Sequence, residues 1–172
     1  QGEQLKDTVI LHINHCMENS FYFSEVLEQI FCRTVFIGVP YNDMAISPDW
    51  SFIRYYGKKK KGCIELWHDD QCFQKGKQDF MTAVETLIEE ALTKSLLSYL
   101  QEGKRLRIFE DGGYHYPVLH RFLMQHPELS GQVCGSVEQT ASGTMRCREF
   151  NRQHGFSYPC ASISRSDIKM YI

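Results

Sequence analysis

No two of the seven cysteines stand in a Cys-x-x-Cys spacing: they fall at Cys16, Cys32, Cys63, Cys72, Cys134, Cys147 and Cys160. The odd, scattered set argues against a zinc ribbon, a thioredoxin-type site and a secreted disulfide framework. Reduced thiols in a cytoplasmic protein are the expectation. No run of 18 apolar residues occurs, so no membrane-spanning helix is expected. Charge of one sign is not in excess: 19 Lys plus Arg against 21 Asp plus Glu leave a net −2, which does not suit a general nucleic-acid binder. Lys58 to Lys61 forms the one basic run, and with no interleaved aromatics it reads as a solvated loop. His115, His120 and His126 form no i, i+4 pair and no His-Glu-x-x-His motif, so no metal is assigned. Internal repeats and low-complexity segments are lacking as well.

What is present is an ordinary globular composition: 42% apolar and 23% charged over 172 residues, enough for one domain with its own core. Gln1-Gly2 reads as the remnant of a cleaved tag and the abrupt end at Ile172 as a cut in a longer protein, so the domain is taken as residues 3–172. Residues 7–14 (DTVILHIN) and 34–39 (TVFIGV) are apolar, β-branched runs that read as buried strands. Residues 18–31 carry apolar side chains at helical spacing. Short strands are expected at 51–56 and 63–67, on either side of the lysine loop. The clearest helix is 79–100, where Phe80, Val84, Leu87, Ile88, Ala91, Leu92, Leu96 and Leu100 make one stripe, with Gly103 as its C-terminal stop. Further strands are expected at 105–109, 132–137 and 158–163, and helices at 116–124 and 142–154. Ser164 or Ser166 can cap a last helix. This alternation predicts a three-layer α/β/α (Rossmann-like) domain with a mostly parallel sheet.

In such folds ligands bind beyond the carboxyl ends of the strands. That rule singles out His15, the string Glu110-Asp111-Gly112-Gly113, the string Glu138-Gln139-Thr140-Ala141-Ser142-Gly143, and the stretch from Ser164 to Lys169. Asp111 can accept hydroxyl hydrogen bonds from a sugar or act as a base, or it can cap the next helix. Thr140 and Ser142 can cap a helix or face an oxygen-rich ligand at its N-terminus. Lys169 can position a hydroxyl or carry a proton, or be a solvated surface lysine.

The order of these strings is similar to that in the S-adenosylhomocysteine hydrolase (adenosylhomocysteinase) family. There an apolar strand runs into Asp-Asp-Gly-Gly-Asp, then Gly-x-Ser-Glu-Glu-Thr-Thr-Thr-Gly follows, then a proline and a lysine. Here the counterparts are residues 107–113, 135–143, Tyr158-Pro159 and Lys169. The resemblance is good over 105–169, faint over 7–42 and poor between. It implies a substrate-binding half, diverged, with an NAD-binding Rossmann domain beyond this chain, and with homo-oligomers of the full-length protein. By the resemblance Asp111 and Lys169 are catalytic, and with His15 they line a nucleoside pocket. Thr140, Ala141 and Ser142 match the threonine run that touches NAD. Three positions depart from the pattern. Gln139 stands where the family has a catalytic glutamate, and an amide cannot ionise. Asn19 replaces a glutamate that reads the adenine amino group, and Met17 replaces a threonine beside it. A nucleoside- or NAD-binding module with altered catalysis is therefore expected. An active hydrolase of a homocysteine nucleoside or related thioether when full length, and a non-catalytic scaffold, are the alternatives.

Overall fold

A computed structural model describes residues 5–40, 65–67, 80–156, 158–164 and 166. The expected strand at 51–56 and lysines 58–61 lie outside the described residues, as do Lys169 and the body of the expected last helix.

Six strands form one sheet: β1 (Thr8–His15), β2 (Arg33–Val39), β3 (Glu65–Trp67), β4 (Arg105–Glu110), β5 (Val133–Glu138) and β6 (Cys160–Ser162). Their order is β3-β2-β1-β4-β5-β6 and every pairing is parallel. Among the described residues the sheet is parallel throughout, as expected, and it has the strand order of doubly wound Rossmann domains. Buried on both faces over most of their length, β1 and β2 centre on the apolar runs at 9–11 and 35–37.

The pleat sorts the strand residues between two helical layers. Val9, Leu11 and Ile13 join Val35, Ile37, Val39, Leu106 and Ile108 in the main core. Covering that face are α2 (Phe80–Ala91), α3 (Leu97–Gln101) and α4 (His115–Gln125) through Val84, Ile88, Leu100, Val118, Leu119 and Phe122. Ile10 points the other way and packs with Phe109 against Leu27 and Phe31, the latter two at the end of α1 (Glu18–Ile30). The chain therefore leaves β1 by one face and β4 by the other. The division follows from the right-handedness of parallel crossovers, since β1 to β2 steps one way along the sheet and β4 to β5 the opposite way.

Two details differ from the sequence expectation. The long helix is not uniform: between α2 and α3 a π-helical turn spans Leu92–Leu96. Leu92 and Leu96 are both fully buried, and the wider turn rotates the stripe so that Ile88 before it and Leu100 after it meet the same core. A 3₁₀ segment, Pro127–Gln132, precedes β5, so the strand begins at Val133 rather than at the expected Gln132. The final helix of the described chain, α5 (Ala141–His154), ends at Gly155, whose φ of 64° is the left-handed stop expected of a C-terminal glycine.

Candidate ligand site at the switch point

The C-terminal ends of β1 and β4 lie side by side, at the place where the winding reverses. Backbone pairing brings them together: the Asp111 amide donates to the Ile13 carbonyl at 2.9 Å, and the Gln139 amide to the Glu110 carbonyl at 3.0 Å. Three residues singled out by the sequence meet there. The Gln139 side-chain amide donates to Asp111 Oδ2 at 2.8 Å, and His15 Nε2 lies 4.0 Å from the same oxygen. Asp111 and His15 keep 19% and 21% of their side-chain surface, so the carboxylate is reachable from solvent while being held from behind. Asp111 does not cap α4. Tyr114 occupies the cap position, with no side-chain cap bond.

His15 is set by the strand beneath it. Its amide donates to Asn14 Oδ1 at 2.7 Å, and Asn14 Nδ2 faces His12 Nε2 at 3.4 Å. His12 is buried, stacked on Phe36, and its Nδ1 lies 2.6 Å from Ser24 Oγ. Ser24 donates its own proton to the Ser20 carbonyl, so His12 Nδ1 is the donor of that pair and Nε2 is left to accept from Asn14. Burial without a charged partner pushes the His12 imidazole down to about 3.

Behind Asp111 lie two buried carboxylates, Glu110 and Glu138, each the first residue of a strand-end string singled out by the sequence but with no role assigned to it there. Glu138, wholly buried at the end of β5, accepts from the Gly112 amide (3.2 Å), the Gly113 amide (2.9 Å), the Thr140 amide (2.7 Å) and the Thr140 hydroxyl (2.6 Å). Four donors fill the acceptor capacity of a carboxylate. Burial, with the nearby Glu110 charge as a second cause, still raises Glu138 above the usual carboxyl range. Glu110 accepts from the Tyr114 and His115 amides and from His115 Nδ1, so it supplies the start of α4 with the acceptors that Asp111 does not. Glycine makes the nesting possible. A Cβ on Gly113, at φ +69°, would sit 2.6 Å from the Gly143 carbonyl oxygen, and a Cβ on Gly143 would collide with the Glu138 carboxylate. Spacing could have flagged these two glutamates, since each is the last residue of its strand and precedes a turn rich in free amides.

Thr140 is the N-cap of α5: its hydroxyl accepts from the Gly143 amide at 3.0 Å and donates to Glu138. Ala141 and Ser142 follow on the exposed first turn of α5. Met17 and Asn19 sit at the start of α1, one turn beyond His15, and both are exposed. The structure thus brings His15, Asp111 and Gln139 into one cluster, with Thr140 tied to it through Glu138. Met17, Asn19, Ala141 and Ser142 lie on the rim.

The residues of this sheet do not fit NAD by themselves. A dinucleotide fold of this strand order cradles pyrophosphate in a glycine-rich turn after β1. Here that turn reads Asn14-His15-Cys16-Met17-Glu18 and has no glycine. The Gly112-Gly113 amides that could serve instead are already engaged by Glu138.

The fold and its site define a doubly wound α/β domain with a carboxylate-centred cluster at the switch point. Neither a scan against protein-family models nor a search of curated proteins returns a match to the chain. Among the described residues no helix is long and apolar enough to cross a membrane, and no group of three or more His, Cys, Asp or Glu side chains is arranged to hold a metal ion.

Proposed function

We propose that this chain binds the ribose of a nucleoside at the switch point, as a diverged adenosylhomocysteinase-like domain. The observation that carries the reading is the Asp111 carboxylate, partly exposed and held by Gln139 at 2.8 Å with His15 beside it. A carboxylate so placed accepts both hydroxyls of a vicinal diol, and hydrogen bonds to a charged acceptor are the stronger kind. His15 offers a ring nitrogen to the same sugar. The exposed first turn of α5, with Ser142, flanks the cluster and suits further hydroxyls.

Gln139 favours binding over turnover. Its amide is spent on Asp111, and it cannot take up or release a proton at the position where the related family has a glutamate. The hydrolase alternative rests on Lys169 and on NAD held by a separate domain. In it this chain would orient the ribose while NAD supplied hydride transfer. A homo-oligomeric full-length protein belongs to the same family-based reading, while a cytoplasmic location rests on the odd, scattered set of cysteines. The scaffold alternative requires that the cluster bind nothing.

Calorimetric titration with adenosine and with 2′,3′-dideoxyadenosine tests the proposal. Adenosine should bind, and loss of the diol should weaken binding about 10-fold or more, the worth of a charge-assisted hydrogen bond. Equal affinity for the two compounds would remove Asp111 from the ribose, and no heat from either would leave the scaffold.

A further inference from the structure

On the far side of α4 from the switch point, α5 is laid against the edge strand β6. One rung of that contact is the Thr144–Ser162 hydroxyl pair, 2.8 Å apart. Cys147 lies three residues on from Thr144, on the same helical face. Cys160 lies two residues back from Ser162, on the same face of the strand. The helix descends along the strand as the strand rises, so about 4.5 Å of helix and about 6.6 Å of strand bring the two cysteines together as the next rung. The two thiols are near enough for each to perturb the other's ionisation. Neither is in a disulfide.

Their surroundings differ in a way that divides the labour. Cys147 is buried, 3% exposed, and its thiol is pushed up by the neighbouring Cys160, by burial, and by the Glu110 and Glu138 carboxylates. Cys160 is half-buried and is drawn down to about 6, chiefly by the neighbouring Cys147, with Ser136 of β5 and His115 and Tyr116 of α4 adding to it against the cost of burial. A half-buried, low-lying thiolate backed by a second thiol is the arrangement in which cysteine oxidation is selective.

We propose that Cys147 and Cys160 are a redox-active dithiol, oxidised by hydroperoxides to a disulfide that fastens α5 to β6. The Cys160 thiolate attacks one peroxide oxygen, breaking the O–O bond. It becomes a sulfenic acid, and the released hydroxide takes a proton to leave as water. Cys147 then attacks the sulfenic sulfur, its S–H proton going to the departing hydroxyl, which leaves as a second water. The two thiols lose two electrons and two protons in total, and the peroxide is reduced to two waters.

The test is native-state treatment of the full chain with hydrogen peroxide, followed by alkylation with iodoacetamide and disulfide mapping by mass spectrometry. The expected product is a Cys147–Cys160 linkage within one chain, formed while the far-UV circular dichroism is unchanged. Cys147→Ser should abolish the linkage and leave Cys160 as a sulfenic acid that dimedone traps. Cys160→Ser should leave Cys147 open to alkylation after denaturation. Full alkylation of both cysteines after peroxide would overturn the proposal, as would a linkage that joins either one to Cys16, Cys32, Cys63, Cys72 or Cys134. Dimedone labelling of Cys147 rather than Cys160 would overturn the assigned roles.

Discussion

At the residue scale, the centre of the site rests on side chains chosen for what they do when water is removed. Glu138 is tolerated because four donors converge on it, and removing any of them would leave a buried acceptor short. His12 is tolerated because it is neutral. Its folded-state value of about 3 lies far below the 6.5 of an unfolded histidine. The neutral form is therefore favoured by folding, and below 6.5 the unfolded chain takes up a proton that the folded chain refuses. The resulting stability is present above pH 6.5 and is lost as the pH falls from 6.5 toward 3. At about 1.36 kcal/mol per unit the full effect is about 5 kcal/mol. Denaturant unfolding from about pH 7 to about pH 4 should show a steep loss of stability in the native chain and a clearly shallower one in His12→Gln. Parallel slopes would show that His12 is not the group responsible.

Among elements, the turns after β4 and β5 are built as one piece. The β4 turn reads Asp111-Gly112-Gly113, and the start of α5 reads Thr140-Ala141-Ser142-Gly143. Glu138 and the two glycines Gly113 and Gly143 lock them into contact. Two substitutions separate local backbone cost from this locking. Gly103 and Gly113 both have positive φ, +85° and +69°, but a Cβ on Gly103 meets open space while one on Gly113 meets the Gly143 backbone. Gly103→Ala should cost about 1–2 kcal/mol for the left-handed backbone alone. Gly113→Ala should cost about 1–3 kcal/mol more, because the neighbour it meets is backbone rather than a flexible side chain that can give way. Equal unfolding midpoints for the two variants would mean that the turns are not coupled. The π-helical turn at Leu92–Leu96 is a second case in which packing decides local structure: Leu92, Leu96 and Leu100 recur every four residues, and a regular helix would carry that row out of the core.

For the whole molecule, the sheet follows from the order of apolar runs, and the switch point follows from the sheet. The strands at 8–15 and 33–39 are legible from their β-branched apolar runs, and those at 105–110 and 133–138 as short segments alternating with helical ones. His15, Asp111 and Gln139 are legible as strand-end residues, and the structure gathers them. The strand-end places of Glu110 and Glu138 are legible but their burial is not, because a charged residue at a strand end looks the same in sequence whether it faces water or a ring of amides. His12 is hidden for a related reason: within an apolar run, only the helix that covers it shows that it is buried. The π turn is invisible because the stripe is apolar at either pitch. Cys147 and Cys160 look like scattered thiols, since 13 residues separate them and only the packing of α5 on β6 joins them.

The most direct test of the account is a two-dimensional amide NMR titration of the chain with adenosine. If the ribose binds at the switch point, the largest shifts fall on the amides of His15, Gly112, Gly113 and Gln139, together with the Gln139 side-chain amide, and Asp111→Ala abolishes them. Saturable shifts confined to other strands, or shifts that persist unchanged in Asp111→Ala, would contradict it.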